Sequence, residues 1–366
     1  MTKNSEIVFV GLSGGVDSSV AAARLQARGF NVVGVFIKVW HPEWLQCNWE
    51  QERLDAMRVA AKLDIPFLTC DAEKAYKDEV AKYFIEEYKA GRTPNPDVLC
   101  NKEVKFGAFL KFALEKGADY VATGHYARNI TSNSNNRSQG SDPLLFELHR
   151  GVDTNKDQSY FLWTLTQEQL KHVLLPVGDT TKDVIREEAG RAGLLTSEKK
   201  DSQGICFLGH IDIKEFLSHY VDLIPGAVLD EQGNTIGSHD GSIIYTVGQR
   251  HGFTIKTTNP DNSPRYVASK NLEKNTITVY TNKPFTEATK GMKLGCTNWI
   301  QDKPKTGDML DVQIRYRQQP FTMKVVSIDD ESTILATNKS LEAYAAGQSC
   351  VCYRDDVCLG GGIIVE

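Results

Sequence analysis

Short apolar runs alternate with helical spacings over the first 125 residues. Ile7–Val10, Val32–Ile37, Phe67–Cys70 and Tyr120–Thr123 are continuous runs, the pattern of strands buried on both faces of a parallel sheet. Between them, Leu54, Met57 and Ala61 recur at helical spacing. So do Tyr76, Val80, Phe84 and Tyr88, with Gly91 as the stop. Phe106, Phe109, Leu110, Ala113 and Leu114 repeat the spacing before Gly117. The alternation predicts a doubly wound α/β domain, whose ligands bind at the carboxyl ends of the strands.

Further along, residues 129–143 are polar and turn-rich between extended runs, which predicts a hairpin tip. Helical character returns from Gln167 to Leu195. Composition shifts after about Cys206, where a short helix over Ile213–Tyr220 leads into strand patterns at Ala227–Leu229, Ser242–Thr246, Arg265–Ala268 and Thr276–Tyr280. From about Thr281 the chain is β-rich to its end. Residues 311–317 alternate strictly and set Asp311, Gln313, Arg315 and Arg317 on a solvent face. The expected organisation is an α/β domain with a doubly wound parallel sheet over 1–210, a small central α+β domain over 211–280, and a C-terminal antiparallel β-barrel over 281–366.

A chain of 366 residues suits two or three domains. No apolar run approaches the ~20 residues of a membrane helix. The start, Met1 to Glu6, lacks signal-peptide architecture, so the cytoplasm is the expected location and no membrane is involved. The net charge of −5 removes any global basic footprint, so a nucleic acid would be held by local patches. None of the eight cysteines forms a C-x-x-C pair or has zinc-finger spacing, and no metal-ligating residues are assigned. Cys350 and Cys352 share one face of a strand-like run and read as packing. In a cytosolic protein, a disulfide among these thiols is more often catalytic than structural.

Four segments carry candidate chemistry. In the first, Gly11-Leu12-Ser13-Gly14-Gly15-Val16-Asp17-Ser18-Ser19 follows a strand and opens an alanine-rich helix. Glycines let backbone N–H groups form an anion nest, and the helix dipole favours phosphate at the same point. The run lacks the lysine of a Walker A loop and the spacing of a dinucleotide loop. In the second, Arg92 to Asn101, two prolines stiffen the backbone. Asp97 is expected to cap the next helix, with Cys100 in its first turn, where a thiolate is favoured. The same residues fit a plain capped helix with a buried cysteine equally well. The third, Lys199 to Leu208, runs charged and small residues up to Cys206; its lysines suit a thiolate or an anionic substrate. The fourth, Asn155 to Trp163, reads on physical grounds as a polar loop before a core helix.

In this order the segments resemble the tRNA-specific 2-thiouridylase family of the ATP pyrophosphatase-loop superfamily, with its adenine nucleotide alpha-hydrolase-like domain. The resemblance runs from Ser13–Ser18 through Ala90–Asp97, Cys100-Asn101-Lys102, Ala122–Tyr126, Lys156–Leu162 and Gly204–Phe207. It ends with Tyr245–Arg250, Arg315-Tyr316-Arg317, Gly347-Gln348 and Cys358–Gly362. The family often has Met at Ile37 and Thr at Gln203.

The resemblance implies ATP-dependent 2-thiolation of the wobble uridine of tRNA, releasing AMP and pyrophosphate, with Mg²⁺ accompanying ATP. It implies that Gly11 to Ser18 hold the phosphates, while backbone near Ile37 and Gly124 meets the adenine. Asn95, Pro96 and Asp97 meet an extruded base, with Asp97 a general base. Cys206 carries sulfur as a persulfide, and Cys100 resolves it into a Cys100–Cys206 disulfide. His125, Lys156, Asp157, Gln158, Arg315, Tyr316 and Gln348 contact tRNA. A sulfur-donor protein, a cysteine desulfurase or a sulfur carrier, is the implied second partner. Two rivals share parts of this pattern. An amide-forming ATP pyrophosphatase has no use for paired cysteines, and a non-catalytic tRNA-binding protein turns over no nucleotide. The apolar stretch Trp40 to Gln46 receives no role.

Overall fold

The structure, a computed structural model, describes residues 6–45, 49–132, 144–200, 212–256, 263–281, 285–286 and 291–365. Strands β1 (Ile7–Gly11), β2 (Asn31–Lys38), β3 (Phe67–Asp71) and β4 (Tyr120–Ala122) precede a hairpin of β5 (Ala127–Ser132) and β6 (Leu145–Arg150), then β7 (Val173–Leu174). Five of them form a parallel sheet in the order β3-β2-β1-β4-β7. The order reverses between β1 and β4, so the ligand crevice expected of such sheets opens there, at the carboxyl edge.

Residues of β1 enter two cores by turns. Phe9 packs with Val35, Phe109 and Val121, whereas Val8 and Val10 pack with helix α1 (Val16–Ala27) through Val20 and Ala21. That alternation is why the run had to be apolar throughout. Each fully buried Val, Leu or Phe contributes about 1.5–3 kcal/mol.

Helix α2 (Trp49–Leu63) forms where the spacing predicts it, but turns the other way. Ala56, Val59 and Ala60 are buried, while Leu54 and Met57 are exposed. Small side chains let α2 lie close to the sheet and to the loop after β1, where a Cβ on Gly14 would meet Glu52 O at 2.8 Å. A second helical run spans 73–89 and a third spans 96–115, each with a widened π segment, Tyr76–Ala81 and Cys100–Ala108 respectively. The stretch from Gln167 to Leu195 is not continuously helical. One turn at Gln167–Leu170 gives way to β7, which completes the parallel sheet, before the helix Lys182–Arg191 begins.

The central region holds the helix Ile213–Ser218 and a five-stranded sheet of Gly226–Leu229, Thr235–His239, Thr254–Ile255, Tyr266–Asn271 and Thr276–Tyr280. Ser242–Ile244, expected as a strand, is a single 3₁₀ turn. Side chains claim its backbone: Ser242 N donates to Asn275 Oδ1, and the Lys270 ammonium donates to the carbonyls of Ile243 and Tyr245. Trp40 and Trp44 pack on the large core, and Trp44 stacks on His219 at 3.7 Å, next to Phe216 and Tyr220. The apolar loop after β2 therefore docks the helix Ile213–Ser218.

Six C-terminal strands close an antiparallel barrel, its first strand, Met292–Trp299, pairing with its last, Val357–Ile364. Cys350 and Cys352 face the barrel core together, as packing. The barrel sheet continues into the N-terminal hairpin through Cys358↔Leu148. The alternation over 311–317 fails midway. The strand Met309–Gln313 ends there, Gln313 is buried, and Arg317 sits in a turn at φ +62°. Gln313 accepts from Arg150 Nη1 at 3.1 Å and donates to Arg315 O, so its polar end is satisfied inside. Among the described residues no helix is long and apolar enough to cross a membrane.

Candidate nucleotide and sulfur-transfer site

The loop between β1 and α1 lies at the reversal point of the sheet. Leu12 N donates to Val35 O and extends the strand, after which Gly14 turns at φ +69°. A side chain there would strike the α2 backbone as well as strain the turn. Gly15 caps α1 with extended backbone and no side-chain bond to the helix start. Ser18 and Ser19 donate back to Gly15 O, while Ser13 is exposed at the mouth. N–H groups left uncapped at a helix start fit a polyphosphate.

Gly124, following β4, packs on the same turn. A Cβ there would lie 2.7 Å from Asp17 C and Ser18 N. Ile37 is buried at the carboxyl end of β2, its Cδ1 3.5 Å from where a Gly11 Cβ would stand. The structure thus brings Gly11–Ser18, Ile37 and Gly124 to one edge.

Asp17 is engaged. Lys182 Nζ donates to both of its carboxylate oxygens at 2.8 Å, and Tyr126 Oη donates to Oδ1 at 2.7 Å. This arrangement does not fit Asp17 to a magnesium ion. Among the described residues no group of three or more His, Cys, Asp or Glu could hold a metal. On the loop's other side, Lys199 Nζ donates to Gly14 O at 3.0 Å and to Asp55 Oδ2 at 2.7 Å. Burial works against the Asp55 charge, but the bonds from Lys199 and Gln51 hold its carboxyl below the usual range. Burial raises Glu52. Sequence reasoning missed Lys182 and Tyr126, which lie 165 and 109 residues from Asp17. Tyr126 belongs to the Ala122–Tyr126 segment, but nothing local points it at Asp17, and no local signal marks Lys182.

Asn95, not Asp97, caps the next helix. Its Oδ1 accepts from Val98 N at 3.3 Å. Pro96 explains the difference: it occupies the first helical position, where its missing N–H costs nothing, so the cap falls on the residue before it, two earlier than Asp97. Asp97 sits in the first turn, half-buried. Cys100 follows at the end of that turn with no exposed surface, so the thiol of this helix start is enclosed rather than presented. This helix run precedes β4, and its start therefore lies at the carboxyl edge with the loop. Cys206 and Gln203 fall outside the described residues.

Several residues assigned to tRNA have partners within the protein. His125 is buried, with Nδ1 2.7 Å from Thr123 Oγ1 and Nε2 3.3 Å from Lys105 Nζ. Burial, then the lysine charge, hold it well below its ordinary pKa, so it is neutral. Asp157 is buried and accepts from Gly151 N, Ser159 N and Arg150. Gln158 exchanges two hydrogen bonds with the Tyr126 backbone. Arg315 is half-buried, not on an open face, and donates to Val247 O and Ala343 O at 3.1 and 2.9 Å. Lys156, Tyr316 and Gln348 are half-buried, and Gln348 Oε1 has no partner among the described residues. Tyr160, part of the fourth segment but given no role there, joins the domains. Its hydroxyl lies 3.0 Å from Ser349 O and bonds Asn95, and burial pushes its pKa up.

The family model described as tRNA methyl transferase HUP domain matches residues 6–210. Those described as tRNA methyl transferase PRC-barrel domain and aminomethyltransferase beta-barrel domain match 214–281 and 289–364. The tRNA-specific 2-thiouridylase MnmA of Bacillus cytotoxicus is 42% identical over 365 residues, covering 98% of this chain and 94% of its own. The protein of that name from Listeria monocytogenes serovar 1/2a is 43% identical over 370 residues, covering 99% and 96%. A solved U34-tRNA thiolase, NcsA from Methanococcus maripaludis, covers 59% of this chain and 64% of its own at 15% identity. Its TM-score of 0.35 is too low to bear on function.

Proposed function

This chain belongs to the tRNA-specific 2-thiouridylase family, and from that premise we propose the route by which its residues replace the C2 oxygen of the wobble uridine of tRNA with sulfur. It is a tRNA uridine sulfurtransferase that uses ATP. A uracil carbonyl oxygen is a poor leaving group, so it is first made into a good one. The C2 oxygen attacks the α-phosphorus of ATP, the bond to the β-phosphate breaks, and pyrophosphate leaves. The N3 proton passes to Asp97. The terminal sulfur of a Cys206 persulfide then attacks C2, and AMP departs with the old oxygen. Finally the Cys100 thiolate attacks the Cys206 sulfur, leaving the transferred sulfur on C2. The products are a 2-thiouridine, which regains its N3 proton, and a Cys100–Cys206 disulfide that a thiol reductant reopens.

One observation carries this reading. The uncapped start of α1 and the Asn95–Cys100 helix start share the carboxyl edge of one sheet, tied through Lys105, His125 and Gly124. A phosphate-binding loop and a cysteine-bearing base pocket suit adenylation followed by sulfur transfer. Asn95, Pro96, Lys156, Tyr316 and Gln348 border the tRNA side, with a cysteine desulfurase or sulfur carrier as donor. Incubating the chain with unmodified tRNA, ATP and a persulfide donor, such as a cysteine desulfurase with cysteine, should yield 2-thiouridine on nucleoside analysis, with AMP and pyrophosphate. Pyrophosphate release that needs an amine and no tRNA would instead establish an amide-forming enzyme.

A further inference from the structure

The nucleotide loop contains one charged residue, and its sign is wrong for the ligand. Asp17 sits in the first turn of α1, at the point where a polyphosphate would meet the helix N–H groups. Its side chain is 31% exposed, so a bare carboxylate there would repel the phosphates. Lys182 reaches it from the start of another helix. The ammonium bonds both carboxylate oxygens at 2.8 Å, and its own side chain is 9% exposed. Lys182 N is itself fixed, donating to Asp153 Oδ2 at 3.0 Å. Tyr126 Oη holds the same carboxylate at 2.7 Å, and its ring lies 5.8 Å from the ammonium.

We propose that Lys182 is a positioning residue for ATP: by pairing with Asp17 it cancels the loop's negative charge and fixes the first turn of α1 to receive the polyphosphate. The loop has no lysine of its own, and Lys182 brings the cancelling positive charge from 165 residues away. Asp17 then serves as the anchor of a cation rather than as a metal ligand. The inference rests on the ATP-using reading above and adds to it the device that lets an acidic loop bind an anion.

The test measures binding of α,β-methylene ATP to the full chain by calorimetry, beside thermal unfolding and tRNA affinity. Lys182→Met should weaken nucleotide binding on the order of tenfold to a hundredfold, the size of one uncancelled like-charge contact near a protein surface. Adding Asp17→Asn to Lys182→Met should recover most of that loss, because the neutral pair removes the repulsion and the introduced amide oxygen still accepts from Tyr126. Lys182→Arg should keep affinity close to that of the unaltered chain, and tRNA affinity should stay unchanged throughout. Equal binding by Lys182→Met, or a double variant as weak as Lys182→Met, overturns the proposal. No nucleotide binding by the unaltered chain overturns both this and the adenylation reading.

Discussion

Replacing Gly124 by alanine tests whether the backbone after β4 sets the nucleotide loop. The added Cβ would lie 2.7 Å from Asp17 C and Ser18 N, and 2.9 Å from Asp17 Cβ. Two of these neighbours are main-chain atoms, which cannot swing aside as a side-chain tip would. Reaching ordinary contact at 3.4 Å requires a separation of about 0.7 Å between β4 and α1. β4 is held on both sides, by β1 and β7, so the first turn of α1 is what moves. Overpacking of this kind costs about 1–3 kcal/mol of stability. The larger effect falls on geometry, because a misplacement of about 1 Å at a reacting group costs roughly a hundredfold in rate. Gly124→Ala should therefore fold, with a lowered melting temperature, and lose on the order of tenfold to a hundredfold in tRNA-dependent pyrophosphate release. Affinity for tRNA should stay near that of the unaltered chain. A folded variant with full pyrophosphate release would show that this close approach does not position the loop.

Gly190 gives the opposite outcome. It lies within the helix Lys182–Arg191 with nothing within 4 Å of an added Cβ, so Gly190→Ala should stabilise the chain by about 0.5–1 kcal/mol without changing turnover; a fall in stability would contradict the open space there. Burial lowers Lys270 to about 8, so the folded state releases its proton before the unfolded state does. The unfolded chain then binds more protons between about pH 8 and 10.5, and the stability of the unaltered chain relative to Lys270→Gln should rise with pH across that window by up to about 3 kcal/mol. A flat difference in denaturant titrations would refute the burial argument. Cys206→Ser should still adenylate tRNA but transfer no sulfur, while full thiolation by Cys206→Ser or Cys100→Ser would remove the pair. Alkylation of buried Cys100, followed by peptide mass spectrometry, should be slower than that of exposed Cys296 and should quicken with tRNA and ATP. No such change would argue against a resolving thiol at Cys100.

Legibility followed the range over which each signal acts. β1 to β4 and the glycine loop read directly, because both-face burial demands continuous apolar runs and a phosphate turn demands glycines in sequence. The face of α2 did not, since its larger apolar side chains, Leu54 and Met57, are exposed while the small Ala56 and Ala60 are buried, and only the sheet decides which side turns inward. β7 has two residues, too few for any period. The cap at Asn95 was within reach: a proline marks the first turn, so the residue before it is the cap. The charge balance of the loop was out of reach, because Lys182 meets Asp17 only through the tertiary fold. The domain junction shows the same limit. Arg315 alternates as a surface residue should, yet its partners, Val247 O and Ala343 O, come from two other segments.

The junction also holds residues that the resemblance assigned to tRNA. Thr93 N donates to Ala346 O and Thr93 Oγ1 meets Thr246 Oγ1 at 3.1 Å, so the segment leading to Asn95 is bound to the barrel and to the central domain together. Tyr160 adds a tie between Asn95 and Ser349 O. The segment at Asn95 that we propose meets the base is therefore held by all three parts of the chain, and its position depends on their docking. Arg315 works on that docking from inside, donating to Val247 O and Ala343 O, while Asp157 and His125 are held by partners within the N-terminal domain. Arg317 differs. It is exposed, its guanidinium lies 5.1 Å from the centre of the Tyr316 ring, and its Nε bonds Asn155 O. A cation on an aromatic ring at the surface presents to solvent the kind of charge that meets a phosphate, whereas Arg315 turns part of its guanidinium inward onto two carbonyls.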